Sequence, residues 1–191
     1  MKVTILGALA RKKYFDRNKT DEVWGLNAIR HPWVKKWDRM FNLHMYEHLL
    51  RDWEKGLKVD IKWVNKNKNC KFYVCDPWPK VPTAIIFPRE ELKITSWYDY
   101  HCGSFDWLVA FAIHEGATEI NLHGINLIRE SGEPISARAC LEYWCGVAEG
   151  KGIKVNRADD CWIMRNYYWR IQETKKVYSY DDYQLYEEDE C

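Results

Sequence analysis

The stretch from residue 102 to residue 156 constrains the fold of this chain more than any other. It opens with an apolar helical pattern, Ser104-Phe105-Asp106-Trp107-Leu108-Val109-Ala110-Phe111-Ala112-Ile113, closed by Gly116. A short strand pattern, Glu119 to Ile125, breaks at Gly124 and runs into a polar loop. A second helix is predicted from Ala137 to Glu149, ended by Gly150 and Gly152, and Ile153-Lys154-Val155 then resumes extended structure. Helix–strand–helix–strand spacing of this kind builds a mostly parallel sheet with helices on both faces, a three-layer Rossmann-like α/β fold. Such sheets bind ligands at the carboxyl ends of their strands, which says where function should be sought.

The amino-terminal half fits the same plan. Lys2-Val3-Thr4-Ile5-Leu6-Gly7 is a β-branched run ended by glycine, Glu22 to Asn27 a second strand, and Asp38 to His44 a third. Tyr46 to Glu54 has helical spacing, with Leu49, Leu50 and Trp53 on one face. Lys58 to Asn69 is basic and Asn-rich and reads as a surface excursion, followed by a strand over Cys70 to Cys75. Prolines between Pro77 and Pro88 exclude helix there and leave Thr83 to Phe87 as a short strand. Residues 1–156 thus form one Rossmann-like nucleotide-binding domain. Residues 157–191 form a tail, aromatic and then acidic, suited to a lid, a dimer arm or a partly disordered segment.

A net charge of +1 gives the whole chain no electrostatic pull toward nucleic acid, and none is expected as a partner. No apolar run approaches the roughly 20 residues that span a bilayer. Seven cysteines without a CxxC pair, and no signal peptide, point to reduced thiols in a cytoplasm. Eleven Trp and twelve Tyr exceed what a small core buries, so some of them should line a cleft or an interface of a homo-oligomer.

In the expected fold, Gly7, Asn27, His44, Asp76 and Gly124 to Asn126 gather at the edge where the strands end. Helix amino termini face that edge and favour phosphate, and Ser104 is placed as an N-cap or a phosphate contact. The ligand class is therefore a phosphate-bearing small molecule, although Gly7-Ala8-Leu9-Ala10-Arg11 matches neither GxGxxG nor a P-loop. His44 and His123 are the candidate acid–base residues. His123, inside a buried strand pattern, reads first as a core histidine bonded to backbone and then as a base or phosphate contact, and Asp76 as a turn-former or a ribose- or metal-contacting carboxylate. Asp106, in the first turn of its helix, complements the dipole. Past the strand, Glu130, Glu133, Arg138, Glu142 and Tyr143 form a constellation. Arg138 and Glu142 share one helix face, as a phosphate clamp or as a plain ion pair.

Leu6-Gly7, Asn27, Ser104 and above all the run from Ala110 to Asn126 resemble the family 42 bacterial sialyltransferases and the related motility-accessory and pterin-diphosphokinase-like Rossmann families. Their corresponding stretch reads A-x-A-x-x-x-G-x-x-x-I-x-L-x-G-I-D. The resemblance implies that Asn27, Ser104 and Gly124 line a nucleotide or nucleotide-sugar site. The chain departs from the pattern in three places. It has Ala8-Leu9-Ala10-Arg11 where the sialyltransferases have N-G-P-S, it has Asn126 at the aspartate of G-I-D, and it has no histidine beyond His123 to match their lid base.

His44-Met45-Tyr46-Glu47-His48 formally matches the HxxEH zinc motif. His44 is expected to end a strand rather than sit on a helix, so no metal is expected. The function read from the chain is a glycosyltransferase-like transferase using a phosphate-bearing nucleotide or sugar-nucleotide donor. The alternatives are a non-catalytic nucleotide-binding or sequestering protein, for which the chain's small size and composition look phage-like, and, remotely, a zinc hydrolase.

Overall fold

The computed structural model describes residues 1–27, 29–47, 61–92, 100–127 and 135–164. Seven strands form one parallel sheet: β1 (Lys2–Leu6), β2 (Glu22–Leu26), β3 (Arg39–Asn42), β4 (Lys71–Val74), β5 (Ile85–Ile86), β6 (Glu119–His123) and β7 (Lys154–Arg157). Their order is β5-β4-β3-β2-β1-β6-β7, and every neighbouring pair is parallel. The described α-helices are α1 (Ile61–Lys66), α2 (Ser104–His114) and α3 (Ile135–Gly150). This is the open α/β sheet with flanking helices that the sequence pattern predicts.

Side-chain alternation along the strands separates two cores. Val3, Ile5, Trp24, Leu26, Phe41, Tyr73, Ile120 and Leu122 face α2 and α3, whose Leu108, Phe111, Leu141 and Trp144 complete that side. The intervening residues Val23, Met40, Phe72 and Val74 face the other side, with Val34, Trp37, Trp78, Val81 and Val64 of α1. Beyond β1 that second face turns polar. Thr4, Asn121 and Asn156 lie in register across β1, β6 and β7. Asn156 Nδ2 donates to Asn121 Oδ1 at 2.9 Å and to Glu119 Oε1 at 2.9 Å.

The first residues of β2 and β3 meet the end of α2 in an ion cluster around a buried arginine. Arg39, 5% exposed in its side chain, holds Glu22 through Nε at 2.6 Å and Nη2 at 3.1 Å, and Glu115 through Nη1 at 2.7 Å. Its guanidinium carbon also lies 5.0 Å from the Trp24 ring centroid and 5.4 Å from that of Phe111. These contacts fasten the amino ends of the strands to α2, leaving the carboxyl ends for a site.

Several element boundaries differ from the sequence pattern. The Lys58–Asn69 excursion contains the helix α1, because Ile61 and Val64 supply an apolar side that packs on the sheet. The third strand stops at Asn42 instead of His44, where Asn42 Oδ1 accepts the His44 N–H at 3.2 Å and turns the chain. Of the helix expected over residues 46–54, Tyr46 and Glu47 are described and helical. Most of the expected tail, residues 165–191, lies outside the described residues.

Candidate functional site

β1 is flanked by β2 and by β6, so the strand order reverses there, and clefts in such sheets form beside the reversal. A cleft of about 610 Å³ opens on the β2–β4 side, bounded by the ends of β2, β3 and β4, the segment after β5, and the start of α2.

Each wall is fixed by local structure. After β2 the chain turns at Asn27, whose φ of 56° is left-handed, a conformation that asparagine adopts more readily than most residues. Its N–H donates to Phe41 O at 2.7 Å, which ties the turn to β3. Its buried Oδ1 has no hydrogen-bond partner among the described residues. After β3, Asn42 holds the His44 N–H, and both Asp76 oxygens receive the Tyr46 N–H, at 2.9 and 3.2 Å. The loop carrying His44 is therefore tethered from two sides. Cys75, after β4, lines the cleft with its thiol pKa raised by burial and next by Asp76, which leaves it protonated and a poor nucleophile. Beyond β5, the Phe87 N–H bonds Val74 O at 2.8 Å and carries Arg89 to the rim, its guanidinium carbon 5.5 Å from the Trp107 ring centroid.

The remaining wall is the amino end of α2. Gly103 is the N-cap residue, and Ser104 opens the helix on the cleft. Buried Asp106 turns back so that Oδ2 receives the Cys102 and Gly103 N–H groups, at 2.7 and 3.0 Å. An internal carboxylate thus offsets part of the positive helix end, and the N–H groups of Ser104 and Phe105 are left for a ligand. His101 is clamped between Trp107, with ring centroids 3.4 Å apart, and Trp144, at 4.6 Å. Its Nδ1 lies 3.6 Å from Asp106 Oδ1, and neither buried ring nitrogen has a hydrogen-bond partner among the described residues. Cys102 is exposed at the mouth, its Sγ 2.9 Å from Ser136 Oγ.

Of the residues singled out in the sequence, Asn27, His44 and Ser104 come together on this cleft. Asp76 supports its wall from behind. Gly7 and Gly124 pack against each other at the ends of β1 and β6: Gly7 N–H bonds His123 O at 2.8 Å, and Leu9 N–H bonds Gly124 O at 3.0 Å. Asp160 closes this junction, taking the Gly124 N–H at 2.9 Å and the Arg11 N–H at 2.7 Å. His123 follows Leu122 and so points to the opposite sheet face, into a small recess of about 200 Å³ with Phe15, Asn121 and Asn156. Burial lowers its pKa, with Asp160 opposing, and its Nδ1 is unpartnered among the described residues.

Asn126 lies one residue before the cleft-lining Leu127, and its buried Oδ1 has no hydrogen-bond partner among the described residues. Arg138 pairs with Glu142 at 2.8 Å along α3, and Glu142 also receives the Met164 N–H at 2.7 Å. That pair ties the chain after β7 to α3 and does not line the cleft. Glu130, Glu133 and His48 of the HxxEH motif lie outside the described residues. Among the described residues no three His, Cys, Asp or Glu side chains cluster as metal ligands, and no helix is long and apolar enough to cross a membrane.

Sequence reasoning missed Arg89, His101 and Cys102. Arg89 lies three residues past the last residue of the fifth strand, so the same strand-end rule would have found it. His101 and Cys102 precede a helix start and carry no periodic signal.

No protein-family model matches the sequence, and no curated protein matches it. Among solved structures, the chain is similar to the sialyltransferase CST-II in complex with a trisaccharide acceptor and CMP, with a TM-score of 0.53, 16% identity, and 87% of each chain covered. A second match is CstII from Campylobacter jejuni in complex with a substrate analogue, with a TM-score of 0.47, 16% identity, and 87% of this chain and 86% of that one covered. At this identity the likeness is one of fold.

Proposed function

We propose that this chain binds a nucleotide or nucleotide sugar in the cleft and acts as a glycosyltransferase-like transferase with a phosphate-bearing donor. One observation carries the reading. Asn27, His44, Arg89 and Ser104 surround a single cleft at the strand ends, in a fold shared with a sialyltransferase solved with CMP. Arg89 and the Ser104 hydroxyl and N–H suit an anionic phosphate. The unsatisfied Oδ1 of Asn27 suits an N–H or hydroxyl donor on a base or sugar, since a buried acceptor without a partner is costly. His44, half-buried on the same wall, is the side chain best placed to exchange a proton with the acceptor or the leaving group.

A thermal-shift panel of CMP, UDP and GDP and their sugar conjugates tests binding, followed by calorimetry of the best ligand on the wild type and on Arg89→Ala. The expected result is a ligand-dependent rise in melting temperature that Arg89→Ala removes. No shift with any member of the panel would overturn the reading. A second reading, binding without chemistry, draws on a separate observation. Asp106 is occupied by backbone N–H groups, the His101 nitrogens are buried and the Cys75 thiol is held protonated, so His44 has little support for catalysis. Mass spectrometry of sugar-nucleotide incubations separates the two readings. Turnover that depends on His44 favours the transferase, and an intact ligand with every acceptor tried favours the binding protein.

A further inference from the structure

On the opposite face of the sheet lies a second concavity that the cleft does not explain. A groove of about 670 Å³ runs between residues 30–37 and residues 63–70, which lead into the amino ends of β3 and β4. Its lining carries Arg30, Lys35, Lys36, Lys66 and Lys68 and, among the described residues, no carboxylate. Lys36 is paired with Asp38 at 2.7 Å. Lys35, Lys66 and Lys68 have no ion-pair partner among the described residues. The Arg30 guanidinium carbon lies 5.0 Å from the ring centroid of half-buried Trp63. This is where the basic, Asn-rich run of the sequence ends up.

The floor is built before any ligand arrives. Val34 and Trp37 are 8% and 6% exposed and belong to the core on this face. The Asn67 side chain donates to Trp63 O at 2.7 Å, and the Cys70 N–H to Asn67 O at 2.9 Å, which hold the turn carrying Lys66 and Lys68. Like charges gathered around a concave, low-dielectric floor focus a positive potential there. The volume is that of a small-molecule site, and lysine ammonium groups act as mobile point charges for several oxygens at once.

We propose that this groove is a second ligand site, separate from the cleft, for a small polyphosphate anion, with Lys35, Lys66 and Lys68 on the phosphates and Trp63 beside them. The recessed shape argues against a flat membrane surface, and Arg30 over the ring of Trp63 argues against base stacking along a nucleic-acid strand.

The test titrates sodium triphosphate into the full chain by calorimetry at low and at physiological salt, for the wild type, Lys66→Glu/Lys68→Glu and Arg89→Ala. The expected result is a saturable site that weakens with salt, loses at least about tenfold in affinity in the double lysine variant, and persists unchanged in Arg89→Ala. An unliganded melting temperature matching the wild type shows that the exposed-lysine variant is folded. Equal affinity in the double variant, loss in Arg89→Ala instead, or binding of an oligonucleotide or an anionic vesicle without binding of triphosphate would each overturn it. Because Arg89→Ala reports on the cleft alone, failure here is distinguishable from failure of the nucleotide reading.

Discussion

The backbones of Gly124 and Ala10 touch just past the paired ends of β6 and β1: a Cβ on Gly124 would lie 1.8 Å from the Ala10 nitrogen and 2.3 Å from its Cα. The glycine is also left-handed, with φ +60°. Neither obstacle is a side chain that could swing aside. Gly124→Ala is expected to cost about 3–5 kcal/mol of stability, combining backbone strain with overpacking. Urea denaturation measures it, and a loss under about 1 kcal/mol would mean that the junction yields.

Asn27 separates folding from binding. With a φ of 56° and an unpartnered Oδ1 it is strained and polar in a cleft. Asn27→Gly should leave stability within about 1 kcal/mol, since glycine enters this region freely, while weakening nucleotide binding. Calorimetry and melting curves on one preparation give both numbers. Loss of stability with full affinity would be the opposite outcome.

Arg39 is expected to be structural. Its removal leaves Glu22 and Glu115 without their shared cation, and these carboxylates are 23% and 32% exposed, so water recovers part of the loss. Arg39→Met should therefore cost about 2–3 kcal/mol, below the full value for breaking a buried pair. Arg39→Lys should restore little of it, because an ammonium cannot reproduce the two-pronged contact with Glu22. Chemical denaturation of both variants checks the ranking.

His123 makes stability depend on pH. Burial lowers its pKa in the folded chain below the ordinary 6.5, so the unfolded chain takes up a proton first as the pH falls. Its contribution is complete above about pH 6.5 and declines as the pH drops from there to the lower folded value. Melting temperatures between about pH 8 and 5 should fall less for His123→Gln than for the wild type. Parallel curves would remove His123 as the cause.

The cysteines should separate by environment rather than by exposure alone. Cys102 is exposed, whereas burial pushes the thiols of Cys70 and Cys145 up to about 12. Brief iodoacetamide treatment of the native protein at mildly alkaline pH, mapped by mass spectrometry, should label Cys102 first among the described cysteines and leave Cys70 largely unmodified despite its partial exposure. Because Cys102 borders the cleft, a bound nucleotide should slow its labelling.

The strand-end rule located Asn27, His44 and Ser104 because glycine, asparagine and N-cap patterns mark where strands stop and helices begin. The same arithmetic could have separated His123 from them, since Ile120 and Leu122 occupy the helix-covered side and parity sends residue 123 to the other. The close approach of Gly7 and Gly124 depends on strand order, which local spacing does not encode. Arg39 and its two carboxylates are 17 and 76 residues apart in sequence, a relation visible only once β2, β3 and α2 are assembled. The basic run near Asn69 was legible as charge, but its alignment with Lys35 and Lys36 was not.

The line of Thr4, Asn121 and Asn156 across three strands has a consequence for how the chain finds its pairing. Sliding β6 by a single position would drive two amide-bearing or imidazole side chains into the oil beneath α2 and expel isoleucine and leucine into the wet recess. A misaligned sheet would therefore be penalised twice at each step. These hydrophilic positions act as a key that admits one alignment of the central strands and rejects its neighbours.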